Sequence, residues 1–99
     1  MNMQQMLMQA QKMQRELQKA QDELKKKEFT VSKGGAVTVV VLGDKTVKSV
    51  SVDPDAFDPD NKEMVEEMIA MAINEANSQI DVKSAKINEA ITGRSGGLF

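Results

Sequence analysis

The stretch NMQQMLMQAQKMQRELQKAQDELKKK, residues 2–27, sets the architecture that the rest of the chain must accommodate. Its apolar residues recur at alternating intervals of three and four: Met3, Met6, Ala10, Met13, Leu17, Ala20 and Leu24. This heptad spacing, called the apolar seam below, is typical of a helix that packs against another helix. No Pro or Gly interrupts it, and most of its residues are good helix formers. The pattern predicts a helix of about 26 residues, roughly 39 Å long, part of which projects from a small domain.

The opposite side of this helix carries a line of positive charge. Residues at heptad spacing on that side are Gln5, Met8, Lys12, Arg15, Lys19, Asp22 and Lys26. Lys12, Arg15 and Lys19, called the cationic face below, are consecutive there with no acid between them. One interpretation is a solvated surface that keeps the helix soluble. The other is a phosphate-facing surface, where aligned cations neutralise a polyanion and release its counterions.

The net charge of −2 hides an uneven distribution along the 99 residues. Residues 1–33 hold seven basic and four acidic side chains, whereas residues 34–99 hold six basic and eleven acidic ones. A cationic arm on an acidic body can still be steered to a polyanion. With 28% charged and 40% hydrophobic residues, the composition predicts one globular domain over residues 1–99.

The composition also narrows the cellular setting. No apolar run approaches the length of a membrane-spanning helix, so we expect no membrane partner. The Gln-rich start lacks the basic-then-apolar pattern of a signal peptide, which predicts a cytoplasmic protein. The absence of Cys excludes disulfides and thiolate metal sites.

Residues 28–53 predict a three-stranded antiparallel sheet. Phe29 and Val31 alternate with polar residues, and Gly34-Gly35 follows as a loop. Residues 36–42 are nearly all apolar, so this strand should be covered on both faces, by a helix of this chain and by a second subunit. The turn residues Gly43-Asp44-Lys45 predict a hairpin with residues 46–52.

Strict alternation in the third strand would place its residues on two faces. Val50 and Val52 then share one face with Thr46 and Lys48. The same alternation would place Val47 on the other face, with Ser49 and Ser51.

A second helical region is predicted over residues 58–92. Asp58 suits the N-cap and Pro59 the first helical position, with a helix to about Asn77 that resumes or continues beyond Ser78. Residues 93–99 are expected to form a flexible tail. The fold class is therefore α+β: a long projecting helix over 1–27, a three-stranded sheet over 28–53 and a C-terminal helical region.

Catalytic chemistry has little support in this chain. Without His or Cys, the commonest general base and the commonest nucleophile–base pairs are absent. No Gly-rich stretch is followed by the Lys-Ser/Thr pattern of a phosphate loop. Helix capping accounts for the acidic cluster of Asp53, Asp55, Asp58, Asp60 and Glu63 better than a calcium loop does. We therefore expect no enzyme, no metal or other cofactor and no small-molecule substrate.

Several motifs in order along the chain resemble the YbaB/EbfC nucleoid-associated proteins. They are Gln9-Ala10-Gln11-Lys12-Met13-Gln14, Gly34-Gly35, Val50-Ser51-Val52-Asp53-Pro54 followed by Asp58-Pro59, Asn74-Glu75-Ala76, Thr92-Gly93 and Gly97-Leu98-Phe99. The resemblance implies a homodimer whose helices project like tweezers. It also implies a bacterial protein of the cytoplasm and nucleoid that binds duplex DNA, organises the chromosome and affects transcription.

On this basis the sequence predicts a DNA-binding surface made mainly of basic residues on the two helices. The expected phosphate contacts are Lys12, Arg15, Lys19, Lys25 and Lys26, with Lys83, Lys86 and Arg94 as secondary candidates. The alternative is a protein–protein interaction module. In that case the apolar seam and the Met-rich helix tip, with Met1, Met3, Met6 and Met8, would dock a partner helix.

Overall fold

The computed structural model describes residues 2–94, with Arg94 described by its backbone alone. The chain forms a helix, three strands, two short 3₁₀ turns and a second helix, in that order. Their bounds are α1 Met3–Lys26, β1 Glu28–Lys33, β2 Val37–Leu42, β3 Val47–Val52, turns Pro54–Ala56 and Pro59–Asn61, and α2 Lys62–Arg94. The strands pair antiparallel in the order β1-β2-β3, which confirms the predicted α+β fold class.

The long helix α1 extends well beyond the sheet. The protein measures 69 × 19 × 15 Å, and every residue from Met3 to Lys12 is exposed. The Asn2 side chain begins α1 by accepting a hydrogen bond from the Gln5 N–H at 2.8 Å. Over residues 2–94, neither helix has an apolar stretch long enough to cross a membrane. The predicted projecting helix is therefore confirmed.

The core lies between α2 and one face of the sheet. Val37, Val39 and Val41 of β2 are almost completely buried, and Val31 of β1 joins them. On α2 the core residues that pack against these valines are Ala72, Ala76 and Ile80. Alanines let the helix backbone approach the sheet closely, and each buried valine contributes about 1.5–3 kcal/mol relative to exposure.

The second half of the apolar seam packs on α2 of the same chain. Leu24 is buried, and Met13, Leu17 and Ala20 are half-buried. Gln21 joins the helices through three hydrogen bonds: its Nε2 donates to the Ser84 carbonyl at 3.3 Å and to Asn88 Oδ1 at 3.1 Å, and its Oε1 accepts from the Ser84 hydroxyl at 3.1 Å. Leu24 and Ile80 line one groove beside these residues, so the two helices run antiparallel.

The predicted faces of β3 were wrong at Val47. Val47 pairs with Val41, Val50 with Val39 and Val52 with Val37, so all three β3 valines lie on the α2 side of the sheet. A β-bulge opposite Val40 and Val41 causes this, because it inserts Lys48 as an extra residue and shifts the alternation by one. Strict alternation from the sequence misses such an insertion.

The start of α2 also differs from the prediction. Asp58 caps the 3₁₀ turn Pro59–Asn61, accepting a hydrogen bond from the Asp60 N–H at 2.9 Å, and α2 begins at Lys62. From there α2 continues without a break to Arg94, so it includes Gly93 and Arg94 of the predicted tail. Residues 95–99 of that predicted tail lie outside the described residues.

The β2–β3 turn is held directly against the end of α1. The Gly43 N–H donates to the Lys27 carbonyl at 2.9 Å, and a Cβ on Gly43 would lie 1.8 Å from the Leu24 carbonyl oxygen. Only glycine therefore fits at position 43, where the turn meets the helix backbone.

The next residue, Asp44, has a pKa below its usual value because the Thr46 side chain and N–H both hydrogen-bond its carboxylate.

Replacing Gly43 with Ala should lower the free energy of unfolding by about 1–3 kcal/mol, because backbone atoms must move to admit the methyl group. The matched control is Gly93→Ala, since a Cβ there meets nothing within 4 Å. In a helix that change should leave stability unchanged or raise it by at most about 1 kcal/mol. Urea denaturation followed by circular dichroism measures both, and equal stability of the two variants would contradict the close approach.

Candidate nucleic-acid interface

The cationic face is solvent-exposed along its whole length. Lys12, Arg15 and Lys19 are each exposed, and their spacing of three and four residues places them as neighbours on one side of α1. Leu17, Ala20 and Leu24, on the other side, are the residues turned toward α2. Packing of the two helices therefore leaves the charges pointing away from the molecule.

The three cations of this face also differ from the lysines near the sheet in their ion pairing. Within residues 2–94, no ion pair involves Lys12, Arg15 or Lys19. Other lysines differ: Lys33 pairs with Glu75, Lys48 pairs with Glu28, and Lys45 lies 2.8 Å from Asp81. The structure thus separates cations neutralised by the chain itself from cations available to an external anion.

Lys25 and Lys26 lie at the base of the arm, in the last turn of α1. Both are exposed, and Lys25 lies 3.7 Å from Asp22, whose carboxylate also accepts a hydrogen bond from Gln18 at 3.0 Å. Cations in the last turn favour the negative end of the helix dipole, so these lysines have a structural role whether or not they contact DNA.

The secondary candidates lie on the distal part of α2. Lys83 and Lys86 are exposed, while Ser84, Ile87 and Ile91 between and beyond them are buried or half-buried. The Arg94 side chain lies outside the described part of the chain. Since α2 runs beside α1, the structure brings both sets of basic residues onto one rod of two helices.

The tip of α1 is apolar on its surface, where the sequence placed a Met-rich helix tip. Met3, Met6, Leu7 and Met8 are 79%, 55%, 59% and 65% exposed, respectively. No acidic residue occurs between Asn2 and Arg15. Within residues 2–94, no helix covers the residues of the apolar seam at this end of α1.

A second apolar surface lies at the β3 edge of the sheet. The helix packed on the sheet, α2, lies mainly over β1 and β2. Val47 and Val50 are 41% and 42% exposed on the same side, and Phe57 in the following loop is 76% exposed. A groove of about 370 Å³ runs between Val52, Phe57 and Val65. We call Val47, Val50, Val52 and Phe57 the β3 flank.

Comparison with known proteins gives a consistent assignment. The sequence profile described as the YbaB/EbfC DNA-binding family matches residues 1–95. A nucleoid-associated protein of Clostridium botulinum is 48% identical over 100 residues, covering 99% of this chain and 88% of that protein. A nucleoid-associated protein of Clostridium novyi is 44% identical and covers 94% of this chain and 82% of that protein. One of Ruminiclostridium cellulolyticum is 41% identical and covers 98% of this chain and 85% of that protein. The motifs, the helix–sheet–helix architecture and these matches together show that the chain belongs to the YbaB/EbfC DNA-binding family.

Proposed function

We propose that this protein is an architectural, nucleoid-associated protein that binds duplex DNA mainly through its phosphate backbone. The observation that carries the proposal is the exposed cationic face, whose Lys12, Arg15 and Lys19 have no ion pair within the described residues. Three unpaired cations along one rigid helix can each displace a condensed counterion from DNA. Lys25 and Lys26 add exposed cations at the end of α1, and Lys83 and Lys86 add exposed cations on α2.

Low sequence preference follows from the residues available on this surface. Phosphate contacts position a protein on DNA but carry no direct sequence information. The chain has no Tyr or Trp to stack on exposed bases. A DNA-binding protein with low sequence preference occupies many sites along the chromosome. It therefore lies in the nucleoid, within the cytoplasm, and it affects transcription through the DNA that it covers.

Changing Lys12, Arg15 and Lys19 together to Gln should weaken DNA binding and flatten its salt dependence. Affinity falls as salt rises, and each lost phosphate contact makes the slope of log affinity against log salt concentration less negative by about 0.9. Losing three contacts therefore makes it less negative by about 2.7 per bound protomer. Fluorescence anisotropy with two unrelated 30-base-pair duplexes across a salt series measures the slope.

The matched control changes Lys33, Lys45 and Lys48 to Gln, which removes the same charge from lysines already paired with Glu75, Asp81 and Glu28. Its slope should stay close to that of the unmodified protein. Equal loss in both variants would show that net charge, rather than the cationic face, governs binding.

We also infer that two copies associate through the β3 flank. On the opposite face of the sheet, where the sequence predicted a second subunit, Val40 and Leu42 are already half-buried. Beside them, Ser32 and Thr38 hydrogen-bond at 2.8 Å and Lys48 pairs with Glu28. The β3 flank instead exposes Val47, Val50 and Phe57 beside a groove. A self-complementary apolar patch of this kind fits a two-fold interface. Two-fold symmetry would also double each phosphate contact.

Val50→Lys should convert a dimer into a monomer, since it places a charge in the centre of the β3 flank. Val82→Lys is the matched control, because Val82 is a 52% exposed valine on α2. Sedimentation equilibrium distinguishes the 10.9 kDa chain from twice that mass. A Val50→Lys variant that still sediments as a dimer would place the interface elsewhere.

A second candidate function is docking of a partner protein on the open half of the apolar seam. Met3, Met6 and Leu7 support it, because they are exposed together on one side of the arm. If it is correct, Met6→Asp abolishes capture of the partner while the triple Gln variant still captures it. A mobility shift with random duplex DNA separates the two functions, because only the DNA-binding function predicts a retarded complex.

A further inference from the structure

Met8 occupies an unusual position on the arm. It precedes Lys12 by four residues, as Arg15 precedes Lys19, so it extends the cationic face by one helical turn toward the tip. It is 65% exposed, and the apolar seam lies on the other side of the helix. Neither the core nor the contact with α2 accounts for an apolar side chain here.

The surroundings of Met8 favour a polyanionic ligand over a protein surface. The first acid of α1 is Glu16, so nothing near the tip repels phosphates. The neighbouring polar residues are glutamines: Gln4, Gln5, Gln9 and Gln11. A line of cations that ends in an apolar side chain matches a ligand with an anionic backbone and an apolar interior. Duplex DNA has both.

We propose that Met8 is an apolar wedge that enters the minor groove and inserts between base pairs of the duplex bound by the cationic face. This inference rests on the proposed DNA-binding function. When Lys12 lies at a phosphate, Met8 lies one turn further along the helix, about 6 Å away. Methionine is among the side chains that unstack a base step and kink a duplex, and its flexible, unbranched chain can adapt to the gap. Met8 therefore bends the DNA that the cations hold.

Met8→Gln tests the wedge directly. Gln forms helices about as well as Met and matches the neighbouring residues, so the arm should keep its structure. Energy transfer between dyes at the two ends of a duplex of about 30 base pairs reports bending, and anisotropy on the same duplex reports affinity. The unmodified protein should raise the transfer. Met8→Gln should bind within about tenfold of the same affinity and leave the transfer near that of free DNA.

The control is Met3→Gln, the same change at a 79% exposed methionine on the apolar seam. It should leave bending unchanged. A second readout is a duplex with one mismatched base pair, which costs less to unstack. The unmodified protein and Met3→Gln should prefer this duplex, and Met8→Gln should lose the preference.

Three results would overturn the wedge while leaving DNA binding intact. They are binding by the unmodified protein without bending, unchanged bending by Met8→Gln, and equal loss of bending in both variants. The last result would point to a protein contact through the seam. A complete absence of DNA binding by the unmodified protein would overturn both the wedge and the proposed function.

Discussion

The antiparallel contact between α1 and the distal half of α2 is the constraint on which the other features of this protein depend. Leu24 is buried where the helices meet the sheet, and Gln21 bonds to Ser84 and Asn88 further out. Burial of leucine contributes about 1.5–3 kcal/mol, and the side-chain hydrogen bonds fix the register of the pair. Because one side of α1 packs against α2, its opposite side faces solvent.

Because one side of α1 packs on α2, the cationic face points toward solvent. Acidic residues outnumber basic ones in residues 34–99, and two of them, Glu75 and Asp81, pair with lysines of the sheet region. Within residues 2–94, Lys12, Arg15 and Lys19 form no ion pair, and they lie on the side of α1 that faces away from α2. An acidic protein can thus present a local positive surface.

Two apolar surfaces are left uncovered by residues 2–94, and their surroundings suggest different partners. The β3 flank adjoins the core and a groove, as expected for a surface that packs against an identical copy. At the arm tip, Met8 continues a line of cations, whereas Met3 and Met6 continue the apolar seam. One short segment therefore offers chemically distinct sides, so substitutions there can separate the proposed DNA contacts from the proposed protein contacts.

The sequence by itself determined the elements and the charge pattern: heptad spacing predicted α1, and the valine-rich run with its Gly43 turn predicted the hairpin. These depend on local periodicity and turn chemistry, which are properties of neighbouring residues. Only the tertiary structure decided that the seam is covered from Met13 to Leu24 and that Val47 joins Val50 on one face. It also decided that the cationic face forms no ion pair among residues 2–94. Burial, bulges and ion pairs depend on residues far apart in sequence, so no local pattern encodes them.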